Sequence, residues 1–451
     1  MRMQLTKPSI IIKAECRKLH AYLTGACNMF LEKRKSLFRF SFLILIVFVS
    51  FYVSLIAFTP NQMTFLAGEE YRVEFFSPFQ LRLSAETAGV RVQKLNPSES
   101  LSSFTNPYLL ECTGYGQNKI KLSLFGIVPV KDIEVNSIPA RELIVCGNTV
   151  GIKLYIKGVL VVGISGVVTP EGREVIPVKN TGLETGDFII EVNNKKIEKI
   201  SDMSRIVEES GAGEVDLKYI HENRILAAKA VPAQCIEDGK YRLGLWVRDS
   251  TAGIGTLTYI EEETGKFGAL GHGITDIDTG IMMPVKNGEL LKSSVHGIRK
   301  GVQGSPGELK GDFLDSPEVV GDIFWNTAFG VFGQIRTGSM TKLSGDKYPV
   351  GTRSVVKEGP AIILSNIDGD SVEAFSVEIQ RVAKKNLSGP KSMILKITDP
   401  RLLNETGGII QGMSGSPIIQ DGRIIGAVTH VLVNDPSRGY GIFIETMLGM
   451  N

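Results

Sequence analysis

The 451-residue sequence has almost no excess of either charge: 50 Lys and Arg stand against 48 Asp and Glu, a formal net charge of +2. A nucleic-acid binder needs a basic field to neutralise phosphates, so nucleic acid is set aside as a partner. Cysteine is scarce. Cys16, Cys27, Cys112, Cys146 and Cys235 form no C-x-x-C pair and no zinc-ligand spacing, which argues against a structural metal. Cys112 with Cys146 is the one pair worth testing for a disulfide. Histidine is equally scarce, and only His221, His272, His296 and His430 follow residue 60, so imidazole chemistry there has a short candidate list. Glycine is the exception, with 49 residues spread along the chain, above the usual share of about 7%. That pattern points to many turns and short strands.

Long uncharged runs are absent except at residues 40–58, FSFLILIVFVSFYVSLIAF. A run of that length covers a hydrocarbon core of about 30 Å as a helix. Lys33, Arg34, Lys35 and Arg39 precede it and Thr59-Pro60-Asn61 follows, so the positive-inside rule keeps the N-terminus cytoplasmic and exports the rest. The run exceeds a usual signal-peptide core and no A-x-A site follows, so a retained anchor is expected. The chain is too long for one core. The reading is a basic cytosolic extension at 1–36, an anchor at 37–60, a small β domain at 61–146 and two further domains at 147–232 and 233–451. In the small β domain, alternating stretches such as 71–75 and 119–124 lie between Pro, Gly, Asn and Ser clusters.

Residues 147–232 carry GVLVVGIS at 158–165, then NTGLETGDFIIEVN at 180–193 and a helical pattern at 202–210. This resembles a PDZ domain. The resemblance implies a peptide groove in which the backbone of 160–164 pairs with an added strand. Gly158, Val159, Leu160 and Val161 would form the strand side, and Met203, Ile206 and Val207 the helix side.

Residues 233–451 hold the sharpest pattern: Gly412-Met413-Ser414-Gly415-Ser416-Pro417, followed by two apolar runs separated by Asp421-Gly422, a favourable hairpin turn. The hexapeptide is similar to the nucleophile loop of trypsin-like serine peptidases. An exposed hydroxyl on a tight glycine turn, with backbone N–H groups converging on a developing oxyanion, is what acyl transfer needs. The resemblance makes Ser414 the nucleophile and assigns the oxyanion hole to the Gly412 and Ser414 amides. Met413 stands where the digestive enzymes carry an aspartate, so activation by a new N-terminus is not expected. Ser416 is the competing nucleophile. Among the histidines, His272 sits among small residues in Gly271-His272-Gly273, which suits an active-site imidazole; His296 is the runner-up. His221 neighbours Glu222 and Arg224 and reads as a solvated residue. Thr429 and His430 follow the hairpin, where they would line a substrate cleft. Spacing does not choose an acid among Asp276, Asp278, Asp368, Asp370 and Asp399.

RLGLWVRDS at 242–250, GIGTLT at 253–258, GALGHG at 268–273, ITDP at 397–400 and QGMSGSP at 411–417 closely resemble the stage IV sporulation protein B peptidases of endospore-forming bacteria. That resemblance implies a triad of His272, Asp399 and Ser414 and no cofactor. It also implies cleavage of a membrane-bound regulator of an intramembrane metalloprotease, which activates a late sigma factor, together with self-processing and self-association influenced by the PDZ domain. The site of action would be the space between the two forespore membranes. A silent PDZ scaffold at the membrane surface is the rival reading; an esterase is disfavoured by the lack of a G-x-S-x-G elbow. The expected fold is mainly β: one anchor helix, a small β domain, a PDZ-like domain and a chymotrypsin-like β-barrel peptidase domain.

Overall fold

A computed structural model describes residues 38–96, 104–312, 318–343, 345–383 and 389–449. The expected basic extension at 1–36 lies outside them. The long apolar run is a helix, Phe38–Phe58, with a mean hydropathy of 2.6. At 1.5 Å per residue it extends about 30 Å, so among the described residues there is a single membrane-length helix, and the topology this supports is single-pass. Thr59 closes it by donating its hydroxyl to Leu55 O at 2.7 Å, and Pro60 follows, which disfavours helix in the residue before it.

The chain falls into two compact units. The first holds the helix and two small sheets. One has the order Val128–Ile138, Gly116–Leu124, Leu81–Ala85, and the other places Thr105–Cys112 between Glu70–Phe76 and Val90–Lys94. Alternation sends Leu81, Leu83, Leu110, Ile120 and Leu122 inward, and Tyr108 donates its buried hydroxyl to Leu81 O at 2.6 Å.

The second unit contains two rings of strands. In the first, Thr149–Ile164, Val285–Lys292, Val319–Thr327, Gly330–Ile335, Lys266–Ala269 and Leu245–Ile260 pair in succession, and Leu245–Ile260 returns to pair with Thr149–Ile164. Val150, Ile152, Leu154, Leu257, Phe267, Leu290, Ile323 and Val331 fill its core. The second ring is a closed six-stranded barrel in the order Gly359–Asp368, Ser371–Val382, Met393–Ile397, Asp435–Phe443, Arg423–Leu432, Pro417–Gln420. Its Asp421-Gly422 turn has φ of +48° and +73°, the left-handed pair that a two-residue hairpin of matching twist requires. The protein is therefore mainly β, with a membrane-length helix and a closed barrel.

The Thr149–Ile164 strand belongs both to the first ring and to the region that lies in sequence between it and Leu245–Ile260. Its C-terminal part packs with Phe188–Val192, Val215–His221, Arg224–Ala230 and the Ile200–Ser210 helix around Val159, Val161, Ile189, Met203, Ile206, Val207 and Leu217. Along 160–164 one edge of the strand is already taken. Leu160, Val161, Gly163 and Ile164 pair with Arg248, Val247, Trp246 and Leu245 of the same chain. On the other side Val161 N donates to Asp187 O and Gly186 N to Val161 O, both at 2.8 Å. Gly158, Val159, Leu160 and Val161 are buried, as are the three helix residues. All seven pack in the core of this region, and Leu160 and Val161 have strand neighbours on both edges, which leaves their backbone no room for a peptide strand. Cys112, Cys146 and Cys235 are buried, and Cys112 and Cys146 form no disulfide with each other.

Candidate active site

The segment before the Pro417–Gln420 strand is shaped by two left-handed glycines, Gly412 at φ +99° and Gly415 at φ +98°, a conformation in which a side chain is strained. Between them Met413 is fully buried in the core of the closed barrel. Met413 N donates to Ile410 O at 3.1 Å, Gly415 N to Val428 O at 2.7 Å and Ser416 N to Met413 O at 3.0 Å. Among the described residues, the N–H groups of Gly412 and Ser414 donate to no protein acceptor. Ser414 is half-buried, and its hydroxyl donates to Thr429 O at 2.8 Å. Ser416 is fully buried, with an Oγ that has no partner.

The first ring holds this loop in place. Thr256 N donates to Ser414 O at 2.9 Å, the Thr256 hydroxyl to Gly412 O at 2.7 Å and the Thr258 hydroxyl to Gly415 O at 2.8 Å. These two buried threonines, alternating on one face of an otherwise apolar stretch, tie the loop by its carbonyls. That leaves its free N–H groups pointing elsewhere. Sequence reasoning passed over both; a T-x-T pair in a buried strand was the available signal.

His272 enters from the same ring. After the Lys266–Ala269 strand, Leu270 and Gly271 take φ of +68° and +69°, a turn that is strained for leucine. Leu270 N donates to Thr256 O at 3.2 Å, and a Cβ on Gly271 would stand 2.9 Å from Thr429 Cγ2. The turn therefore lies against the residue whose carbonyl holds Ser414. His272 Nδ1 lies 2.8 Å from Gly273 O. A carbonyl only accepts, so Nδ1 carries the proton and Nε2 presents its lone pair. Burial pushes the His272 pKa below its ordinary value, against a smaller opposite effect of the Gly273 hydrogen bond. Asn326 clamps the next residue, accepting from Ile274 N and donating to Ile274 O, both at 2.8 Å.

Among the other candidates, His296 is exposed and His221 Nδ1 is hydrogen-bonded to Asp187 at 2.8 Å. His430 lies beside His272, with ring centroids 4.8 Å apart and a 38° interplanar angle.

Asp399 stands at the start of a short helix. It is the N-cap of the Pro400–Thr406 helix, accepting from Arg401 N at 2.9 Å and Leu402 N at 3.4 Å. It also accepts from Ser376 N at 3.4 Å and pairs with the Arg401 side chain at 3.5 Å. Burial raises its pKa, but the N–H bonds outweigh that and hold the carboxyl below the usual range. The structure thus brings together the His272 turn, the Ser414 loop, Thr429 and His430, and leaves the Asp399 carboxylate on a helix cap, its lone pairs engaged by backbone. Asp276 is buried against Arg248, Asp278 also pairs with Arg248 at 2.9 Å, and Asp368 and Asp370 are exposed.

The glycine-rich serine loop thus stands on the closed barrel and the histidine turn on the other ring of strands. Residues 239–448 match the family described as SpoIVB peptidase S55, and the chain contains a domain of that family over roughly half its length. A crystal structure of the PDZ domain of the SdrC-like protein from Listeria monocytogenes is similar at 17% identity, over 21% of this chain and 90% of that one. The TM-score is 0.17.

The Asp399 geometry makes a specific forecast. Asp399→Ala should destabilise the second unit by about 1 kcal/mol, the usual cost of losing an N-cap. Asp399→Asn keeps a capping acceptor and should restore both the thermal transition and most of the peptide cleavage. A loss of about 10⁴ in kcat for the asparagine form would instead show that the charge itself acts on the imidazole.

Proposed function

We propose that this protein is a membrane-anchored serine endopeptidase with Ser414 as nucleophile and His272 as general base. The observation that carries the reading is the pair of uncommitted Gly412 and Ser414 N–H groups beside a half-buried hydroxyl, on a loop tied to the Leu245–Ile260 strand, whose Thr256 also accepts from the turn before His272. Two such donors are the usual oxyanion hole of acyl transfer.

In the reaction, the Ser414 Oγ–H proton passes to His272 Nε2 as Oγ bonds to the substrate carbonyl carbon, and the carbonyl oxygen takes its negative charge against the two amides. The C–N bond breaks and the amine leaves with the proton from His272. Water then attacks the Ser414 ester, giving a proton to His272, and Oγ recovers it as the acid product departs. The backbone carbonyl of Gly273 fixes the imidazole tautomer. Asp399 contributes by ordering the helix whose end runs into residues 407–412, and Thr429 and His430 flank the bound substrate. No cofactor takes part.

The Lys and Arg cluster before the helix puts the N-terminus in the cytoplasm and the peptidase on the opposite side. Following the sporulation resemblance, the substrate is a membrane-bound regulator of an intramembrane protease, and the chain itself is cut. Release of the regulated protease activates a late sigma factor in the developing spore.

The test is labelling of the detergent-solubilised full chain with a fluorophosphonate, followed by peptide mass mapping. A single adduct on the peptide containing Ser414 is expected. A folded chain that takes up no label, or takes it at another serine, overturns the assignment and favours a silent scaffold.

A further inference from the structure

One hairpin of the first unit carries a residue that its turn does not favour. Phe125 and Gly126 take φ of +55° and +76°, in a tight turn closed by Ile127 N donating to Leu124 O at 3.1 Å. Asn or Asp serves such a turn with little strain, as Asp421 does elsewhere in this chain. Here a phenylalanine carries the strain with its ring exposed, and Ile127 beside it is 84% exposed. Phe79 on the neighbouring loop meets Phe125 with ring centroids 5.8 Å apart. A contiguous apolar patch of this kind marks a contact surface.

The membrane-length helix shows what covers it. Phe79 also packs on Phe51 and Phe48, at 5.3 and 6.2 Å between centroids, and these lie seven and ten residues before the helix end at Phe58. That is about 10 and 15 Å down the helix. The strand after the turn climbs beside the helix in step. Tyr52 donates its hydroxyl to Pro129 O at 2.6 Å, and Lys131 Nζ donates to Ile56 O at 3.1 Å and Thr59 O at 2.7 Å. All 21 residues are needed to cross a hydrocarbon core of about 30 Å. With the half from Phe48 onward in water, only about 15 Å of helix would remain to span it. The patch therefore shares the depth of the second half of the helix. Its loops suit that place, because backbone in lipid must find its hydrogen bonds within the protein. Pro78 and Pro129 have no N–H to satisfy. Phe79 N donates to Ser77 Oγ at 3.0 Å and Phe125 N to Gln80 O at 2.9 Å. The buried Asn106 accepts from Leu81 N at 3.1 Å and donates to Ser77 O and Phe79 O at 3.4 and 3.2 Å. Arg82 and Lys121 line a cleft with Gly126, Ile127 and Pro129, and their long apolar stems let the charged ends reach the lipid phosphates.

We infer that the small β domain is seated in the bilayer leaflet at the C-terminal end of the helix, with Phe79, Phe125 and Ile127 among the acyl chains and Arg82 and Lys121 at the headgroup phosphates. The inference rests on the membrane-anchored reading of this helix.

The experiment places the full chain in vesicles of phosphatidylcholine and phosphatidylglycerol that contain a phospholipid with a diazirine on its acyl chain. After irradiation, tryptic peptides are mapped by mass for lipid adducts. Residues 73–82 and 122–131 form two such peptides and carry Phe79, Phe125 and Ile127. They should hold at least about tenfold more adduct than peptide 83–91, which leads away from the patch, because the label is confined to the hydrocarbon core. Peptide 40–72, which contains the helix, is the internal standard. A variant carrying both Phe125→Asn and Ile127→Asn keeps a favoured Asn-Gly turn, so the hairpin still forms. It should lower the 122–131 adduct about tenfold, since unpaired amides are expelled from hydrocarbon, and leave the helix adduct unchanged. Adducts confined to the helix peptide, or a 122–131 yield that the variant does not alter, would overturn the inference and leave the patch to a protein partner or a second copy. Absence of adduct on the helix peptide itself would sink the anchor, a failure the internal standard separates from the first.

Discussion

Alanine at Ser414 is expected to lower kcat for peptide cleavage by about a million-fold, the scale seen when a nucleophile that acts as part of a unit is removed. KM should change little, because the remaining cleft is intact. Ser416→Ala should leave turnover close to that of wild type, since its buried hydroxyl makes no hydrogen bond that the change would break. Two serines two residues apart in one glycine-rich loop thus have opposite expectations. Ser414 is half-buried and its hydroxyl donates to the Thr429 carbonyl. Ser416 Oγ is fully enclosed with no partner, out of reach of any substrate. Its loss removes a buried polar group with no hydrogen bond to break, which is neutral or stabilising. Single-turnover assays on purified protein, with an orthogonal protease inhibitor to silence contaminants, make the comparison. Parallel loss in both variants would mean that the loop, rather than the Ser414 hydroxyl, carries the activity.

The second large effect concerns a residue with no side chain. Gly415→Ala should be among the most damaging single substitutions in the second unit. Its Cβ would stand 2.1 Å from Thr256 O, 2.6 Å from Leu270 N and 3.0 Å from Leu270 Cα. All three are backbone atoms and cannot rotate away. The φ of +98° adds strain of its own. Relief requires the serine loop to retreat from the strand that carries Thr256 and from the turn that leads to His272. A cost of about 3 kcal/mol is expected, together with at least a hundredfold loss of kcat in whatever folds, the scale set by a displacement of about 1 Å at a reacting centre. Gly338→Ala is the matched control: its φ is +82° and nothing lies within 4 Å of the added carbon. It should cost about 1 kcal/mol of strain and leave kcat alone. Equal shifts of the thermal transition in the two variants would show that close packing at Gly415 is not what holds the loop.

Several features were legible because each is set by a short stretch of chain. The membrane-length helix follows from residues 40–58, whose backbone must satisfy itself in an apolar medium. The Asp421-Gly422 hairpin follows from two residues that tolerate positive φ between apolar runs. Gly412 and Gly415 are needed as glycines for the same reason. Asp399 was partly legible: an aspartate followed by proline marks a helix start, with the acid as cap and the ring at the first helical position. Family resemblance weighted its chemistry over that local signal, and the structure shows the carboxylate on the helix cap.

The sequence by itself determined the elements and the reactive residue types, because periodicity, turn chemistry and capping act within a few residues. Only the tertiary structure decided which of them meet. The Thr149–Ile164 strand reads locally as the edge of a peptide groove, yet it is claimed on one side by residues 245–248 and on the other by 186–187. Backbone pairing is blind to side-chain identity, so nothing in either segment announces it. The same holds for the convergence of Thr256, Leu270, Ser414 and His430, drawn from positions up to 174 residues apart. They meet because two rings of strands must bury their apolar faces. The closeness of that packing leaves two amides free, one hydroxyl reachable and two imidazoles in contact.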